Sequence, residues 1–175
     1  HDPALVTRAL QAIRGDGLRD PMNNSLWTRE WFVGLAAHTF GDNSAAQTAF
    51  TAARVIEDRN VQNQPEYAPA WSRLALIDAA LGRKEDAIRE GRHACELLAV
   101  SRDALDGAAQ LVNLAKVYAW TGEKNSALDQ LEVLTRIPSG ITYGDLKLNP
   151  QWNALRGEPR FDKIVASLSP KEIKL

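Results

Sequence analysis

The chain has 175 residues, 45% of them apolar and 25% charged, and a formal net charge of −1, the profile of one globular domain with a continuous core. Its 21 basic and 22 acidic residues are interleaved, which argues against the basic face that nucleic-acid phosphates require. No apolar run approaches the roughly 20 residues needed to span a bilayer, and with Cys95 the only cysteine no intrachain disulfide can form.

Residues 4–14 carry Leu5, Ala9, Leu10 and Ile13, the spacing of a short amphipathic helix. Asp2 and Pro3 suit its start, and Gly15 and Gly17 its end. The only methionine is Met22 and no signal peptide is visible. The chain is therefore expected to be an excised domain or a processed form, with a domain boundary before His1.

A repeat follows. Gly41, Gly82 and Gly122 stand 41 and 40 residues apart, and each is followed five residues later by Ala46, Ala87 or Ala127. Seven residues before each glycine stands Gly34, Ala75 or Ala115, preceded by Val33, Leu74 or Leu114. Antiparallel helices approach closely where the crossing side chains are small. A glycine ends a helix by taking the left-handed conformation that other residues resist. The register thus predicts three helix-turn-helix units at about 27–60, 68–100 and 104–137. Leu111, Leu114, Ala115 and Tyr118 form one helical stripe, and Leu128, Leu131, Val133 and Leu134 another. Asp42, Asn43 and Ser44 are expected to cap the helix after Gly41, and Asn125 and Ser126 the one after Gly122. Glu85 and Asp86 suit the positive helix end after Gly82. Ser101, Asp103 and Asp106 read as caps before the third unit. Glu57-Asp58 and Glu85-Asp86 read as solvated surface pairs, and no alternating strand pattern of useful length is present.

The final stretch holds two further helix starts, Asn149-Pro150 and Glu158-Pro159. The second leads into the stripe Phe161, Ile164, Val165 and Leu168. A stacked array leaves its last apolar face open, and Trp152, Leu155 and Phe161 are expected to cover it, over 143–169.

The units resemble the tetratricopeptide repeat family. The resemblance rests on Trp71, Leu74-Ala75, Gly82, Ala87 and Ala94 in the middle unit. It rests on Val33-Gly34, Gly41, Ala46, Phe50 and Ala53 in the first, and on Leu111, Leu114-Ala115, Tyr118, Gly122, Ala127 and Leu131 in the third. It covers about residues 27–138. Two features depart from the pattern. The family's usual period is 34 residues, so Asp58–Pro65 and Leu98–Gly107 are expected to form longer helices or loops. Gly91 also stands where the family prefers a bulky residue. The tail resembles the Asn/Asp-Pro-x-Trp-x-x-Leu-Arg-x-x-Pro-Arg-Phe ending of many bacterial multidomain proteins, in which such an array follows a kinase, cyclase or transcription-regulator domain.

The resemblance implies an all-α superhelix, read here as a single domain over 1–175. It also implies a concave groove lined by the first helix of each unit. Carried over residue by residue, the groove holds Trp31, Leu35 and His38, then Arg73, then Asn113, Lys116 and Trp120. Two tryptophans, two cations and an amide suit an extended peptide with an apolar anchor and a carboxylate. The Lys and Asn clamp of the chaperone-tail subclass is absent, since Trp31 and Leu35 hold those positions. No catalytic constellation is apparent. His93 and Cys95 point about 200° apart on a helix, and Cys95 reads as a small core residue. The chain is expected to be a non-catalytic scaffold that binds a protein or peptide, without cofactor or metal, in a cytoplasmic signalling protein. A small-ligand sensor and a homodimerisation module are the alternatives.

Overall fold

The computed structural model describes residues 2–20, 25–138 and 140–170; His1 and Met22 lie outside them. Among the described residues the chain is all-α: nine α-helices, one 3₁₀ helix and one short antiparallel ribbon.

Helix α1 (Pro3–Ala12) is capped by Asp2, whose Oδ1 accepts from Ala4 N at 2.9 Å. It buries none of its residues. Gly17 does not simply end it but begins β1 (Gly17–Arg19), which pairs with β2 (Leu26–Thr28). The sequence reading missed these strands because three residues are too few for an alternation to show. A Cβ on Gly17 would lie 1.9 Å from the carbonyl oxygen of Trp27, so the ribbon closes only around a glycine.

Three helical hairpins follow. They are α2 (Arg29–Thr39) with α3 (Asn43–Asn63), α4 (Ala68–Ala80) with α5 (Lys84–Leu97), and α6 (Asp106–Trp120) with α7 (Lys124–Leu134). Gly41, Gly82 and Gly122 all have left-handed φ, 79°, 76° and 82°. In each turn the amide after the glycine reaches back to the last helical turn: Asp42 N to Ala37 O, Arg83 N to Asp78 O, and Glu123 N to Tyr118 O, at 2.8–2.9 Å. This is the helix end that a left-handed C′ glycine permits. Ala46, Ala75, Ala87, Ala115 and Ala127 are all buried at the crossings. At Gly34 a Cβ would stand 2.5 Å from the Phe50 ring, so α2 and α3 touch through that ring. Gly91 works similarly: a Cβ there would come to 3.0 Å from Leu114 Cδ1, and the missing bulk is supplied by α6.

Asp42 caps α3 as expected, accepting from Ala45 N at 3.0 Å. Asp103 accepts from the amides of Leu105 and Asp106 ahead of α6. Asn125 and Ser126 are not caps; α7 begins at Lys124 with no side-chain cap at Glu123. Its buried stripe is Leu128, Leu131 and Leu134, while Val133 is exposed. The residues beyond the family period divide as follows. Asp58–Asn63 extend α3 to 21 residues, whereas most of Leu98–Gly107 is loop. That loop crosses Gly107 so closely that a Cβ would meet Val100 N at 2.7 Å.

The long α3 also corrects the reading of Glu57. Its buried positions, Ala46, Phe50, Ala53, Glu57 and Val61, form one stripe at helical spacing. Glu57 lies on that stripe and is 1% exposed, so it faces the core and not water. It pairs there with Arg73.

The end segment consists of α8 (Tyr143–Leu148), the 3₁₀ helix (Pro150–Leu155) and α9 (Pro159–Ser167). Asn149 caps the 3₁₀ helix through Gln151 N. Leu146, Trp152, Leu155, Phe161 and Ile164 pack in one apolar cluster with Leu114, Leu128, Leu131 and Leu134. The expected covering residues are thus the ones that close α6 and α7. Arg160 ties α9 to Asp129 and Glu132 of α7, each at 2.6 Å.

Candidate functional site

The first helices of the hairpins, α2, α4 and α6, carry all seven residues expected to line a groove, and the structure sorts them into three settings. Trp31 is in the interior, 3% exposed. Its ring centroid lies 5.5 Å from those of Trp27 and Phe50 and 6.2 Å from that of Trp120. Trp27 lines one cavity and Trp120 another, while Trp31 lines neither. Trp31 therefore neighbours one aromatic residue of each cavity.

The first cavity, of about 420 Å³, brings Arg73, Asn113 and Lys116 together. Its walls come from α4 and α6. Asp20, Ser25 and Trp27 close one side and Gly140–Asp145 another. The local chemistry is built from below. Glu57 Oε1 accepts from Arg73 Nε at 2.9 Å, and Glu57 Oε2 accepts from Asn60 Nδ2 at 3.2 Å. This fixes the guanidinium, with its ring neighbour Tyr67 at 6.0 Å. Arg73 is 4% exposed, yet its Nη1 has no hydrogen-bond partner. Gln110, one turn before Asn113 and 2% exposed, spends its Nε2 on the Asp106 carbonyl and leaves Oε1 without a partner. Buried polar atoms are otherwise nearly always satisfied, so an orphan donor and an orphan acceptor on residues of one cavity wall stand out. Asn113 Nδ2 donates to Ser72 Oγ at 3.0 Å, linking α6 to α4.

Lys116 is half-buried, with Nζ 5.8 Å from the centre of the Trp152 ring. No described carboxylate lies within 4.0 Å of it. Burial lowers its pKa, and the more distant Asp145 opposes that shift. Both Asp145 oxygens are occupied, Oδ1 by Asn149 Nδ2 and Oδ2 by Trp152 Nε1. Among the described residues no carboxylate therefore touches Lys116, although Asp20 and Asp145 line the same cavity.

The second cavity, about 330 Å³, gathers Leu35, His38 and Trp120 with Gly82, Pro150 and Gln151. His38 packs on the Trp120 ring at 5.5 Å. Trp120 Nε1 donates to the Gln151 carbonyl at 2.9 Å, so the end segment forms part of the wall. Gln151 Nε2 is buried without a partner.

A larger depression of about 790 Å³ lies along α5, α6 and α7. Its cations are already engaged: Lys84 with Glu123, Arg89 with Asp86, and Arg92 with the Tyr118 hydroxyl. Its one orphan atom, Glu90 Oε2, belongs to a carboxyl whose pKa is pushed up to about 8, by burial first and by Asp78 second. It offers a ligand less than the smaller cavity does. Cys95 is half-buried and its pKa is pushed up to about 12 by burial, with Glu96 adding to it, so it stays a thiol. Among the described residues no three His, Cys, Asp or Glu side chains gather as metal ligands, and no helix is long and apolar enough to cross a membrane.

Sequence reasoning missed Gln110, Trp27 and the Gly140–Asp145 wall. Gln110 could have been found, because it shares a helical face with Asn113 and with the buried Leu114 and Val117. The two closing segments come from outside the repeat register, and nothing in that register signals them.

No family model matches the chain, and no curated protein or solved structure matches it either.

Proposed function

We propose that this chain is a non-catalytic binding module that holds a peptide or protein segment against α4 and α6. The observation that carries the reading is the 420 Å³ cavity whose wall residues include Arg73, with an orphan donor, Gln110, with an orphan acceptor, and Lys116, which no described carboxylate touches. Leaving a buried polar group without a partner costs about 1–3 kcal/mol, and a ligand bearing the matching groups recovers that cost if a small side-chain shift opens these shielded atoms to the cavity. The resemblance of residues 27–138 to tetratricopeptide repeats, and of the tail to bacterial multidomain proteins, supports a scaffold role in a larger signalling protein.

Selecting random displayed peptides on the immobilised chain tests this. Enriched peptides are expected to bind the wild-type chain and to lose at least tenfold in affinity against Lys116→Glu. No enrichment, or enriched peptides indifferent to the substitution, would refute the reading. A second reading, a small-ligand sensor, draws on the small size of both cavities, about 420 and 330 Å³, each walled in part by the end segment.

A further inference from the structure

We infer that Lys116 is a covalent attachment site for small neutral aldehydes, held as an imine in the cavity between α4 and α6. The inference goes beyond the binding-module reading, since it concerns a covalent bond and stands whether or not a peptide uses the same wall.

The described lysines differ in what surrounds their amines. Lys84 pairs with Glu123 and Lys124 with Glu158, at 2.5 and 2.6 Å. Lys147 and Lys163 are exposed. Water or a carboxylate therefore stabilises the ammonium form of all four, and an ammonium has no lone pair with which to attack. Lys116 is half-buried, and no described carboxylate lies within 4.0 Å of it. Burial favours its neutral form, against the weaker pull of the more distant Asp145. Its Nζ lies 5.8 Å from the centre of the Trp152 ring. Unlike Arg73 Nη1 and Gln110 Oε1, that nitrogen is not shielded from solvent.

The amine borders about 420 Å³ of space, room for a small compound. Trp27, Val112 and Ile141 give the wall apolar surface, and Asn113 and Thr142 give it polar groups. Asp20 and Asp145 line the same space, so an anionic electrophile is repelled and a neutral carbonyl compound is not. Once the imine takes up a proton, it carries the positive charge that Asp145 already favours at this nitrogen.

The reaction balances without an oxidant or a reductant. The Nζ lone pair bonds to the carbonyl carbon, and the C=O π pair moves to oxygen. A proton passes from nitrogen to that oxygen and gives a carbinolamine. Its hydroxyl takes up a second proton and leaves as water, while the nitrogen lone pair forms the C=N bond. Loss of the remaining nitrogen proton returns the one consumed, so amine and aldehyde become imine and water. Asp145 can relay these protons through water. Each of its oxygens accepts from one neutral donor, Asn149 Nδ2 or Trp152 Nε1, and keeps a further lone pair.

The test exposes the whole chain to propanal, a neutral aldehyde, at neutral pH. Dimethylamine–borane, a neutral reductant, turns each imine into a stable propyl-lysine. Peptide mapping by mass spectrometry reads the labelling rate at every lysine. In the folded chain Lys116 is expected to label about fivefold or more faster than Lys147 and Lys163, and in urea at the same rate as they do. Labelling of Lys116 no faster than of those two lysines in the folded chain would overturn the inference. A parallel arm uses glyoxylate, an anionic aldehyde, and is expected to remove the preference for Lys116 over the same two lysines. A preference undiminished with glyoxylate would overturn the assignment of neutral aldehydes. Both comparisons are made within the wild-type chain, so neither depends on the folding of a variant.

Discussion

Glu90 is a carboxyl group held where water hardly reaches, 4% exposed, with one oxygen unpartnered and the buried Asp78 as an acidic neighbour. Asp78 is itself held by Arg54 at 2.6 Å and Arg83 at 3.5 Å. Arg89 stands 3.8 Å from Glu90 and compensates only part of the burial. Its pKa is raised from the ordinary carboxyl range to about 8, so the folded chain binds a proton that the unfolded chain has released. The stability this contributes is complete below the unfolded pKa, near 4.5, and is lost as pH rises through about 8. Urea midpoints are expected to fall between pH 5 and pH 9. Glu90→Gln should flatten that fall and be the more stable form at pH 9, by an amount on the order of a few kcal/mol. A wild-type and a variant profile running parallel across that range would contradict the assignment. The residue scale is also where reading from sequence did least well. Glu57 was placed in water by its charge, although its spacing from Phe50, Ala53 and Val61 puts it on the core stripe. Type outweighed position, and the partner that resolves the conflict, Arg73, lies 16 residues away in another helix.

Elements were far more legible. A left-handed glycine ending one helix and an alanine opening a crossing five residues later are local requirements, and all three hairpins keep both. The two Pro-led starts in the tail proved as readable as the repeats, because Asn149 or Glu158 followed by proline fixes the first turn from within. The β-ribbon was not readable, since it depends on Gly17 meeting the Trp27 carbonyl, a contact between residues ten apart. The covering role of the end segment is open to a direct check. Trp152 is fully buried against α6 and α7 and donates to Asp145 Oδ2 at 2.8 Å. Trp152→Ala is expected to cost about 3–5 kcal/mol in chemical denaturation. A loss below about 1 kcal/mol would mean that the segment does not close the array.

At the scale of the whole molecule, packing is uneven. Helix α4 buries ten of its 13 residues, whereas α1 buries none. Local opening follows burial, so amide exchange is expected to be fastest in α1 and slowest in α4 and α6. Equal protection in α1 and α4 would show that α1 is held by more than the apolar cleft it shares with Phe32 and Phe40. The candidate site was only half legible at this scale. Its residues were on the expected helices, but the burial of Trp31 was not foreseeable, because the family pattern assigns that side chain of α2 to the groove surface. Trp31 is 3% exposed and belongs to the core. Its ring lies 5.5 Å from Trp27, which lines one cavity, and 6.2 Å from Trp120, which lines the other, so altering it alters the surroundings of both. The packing of the core and the aromatic contacts beside both cavities thus share one side chain, Trp31, and a change in surface residues alone cannot separate them.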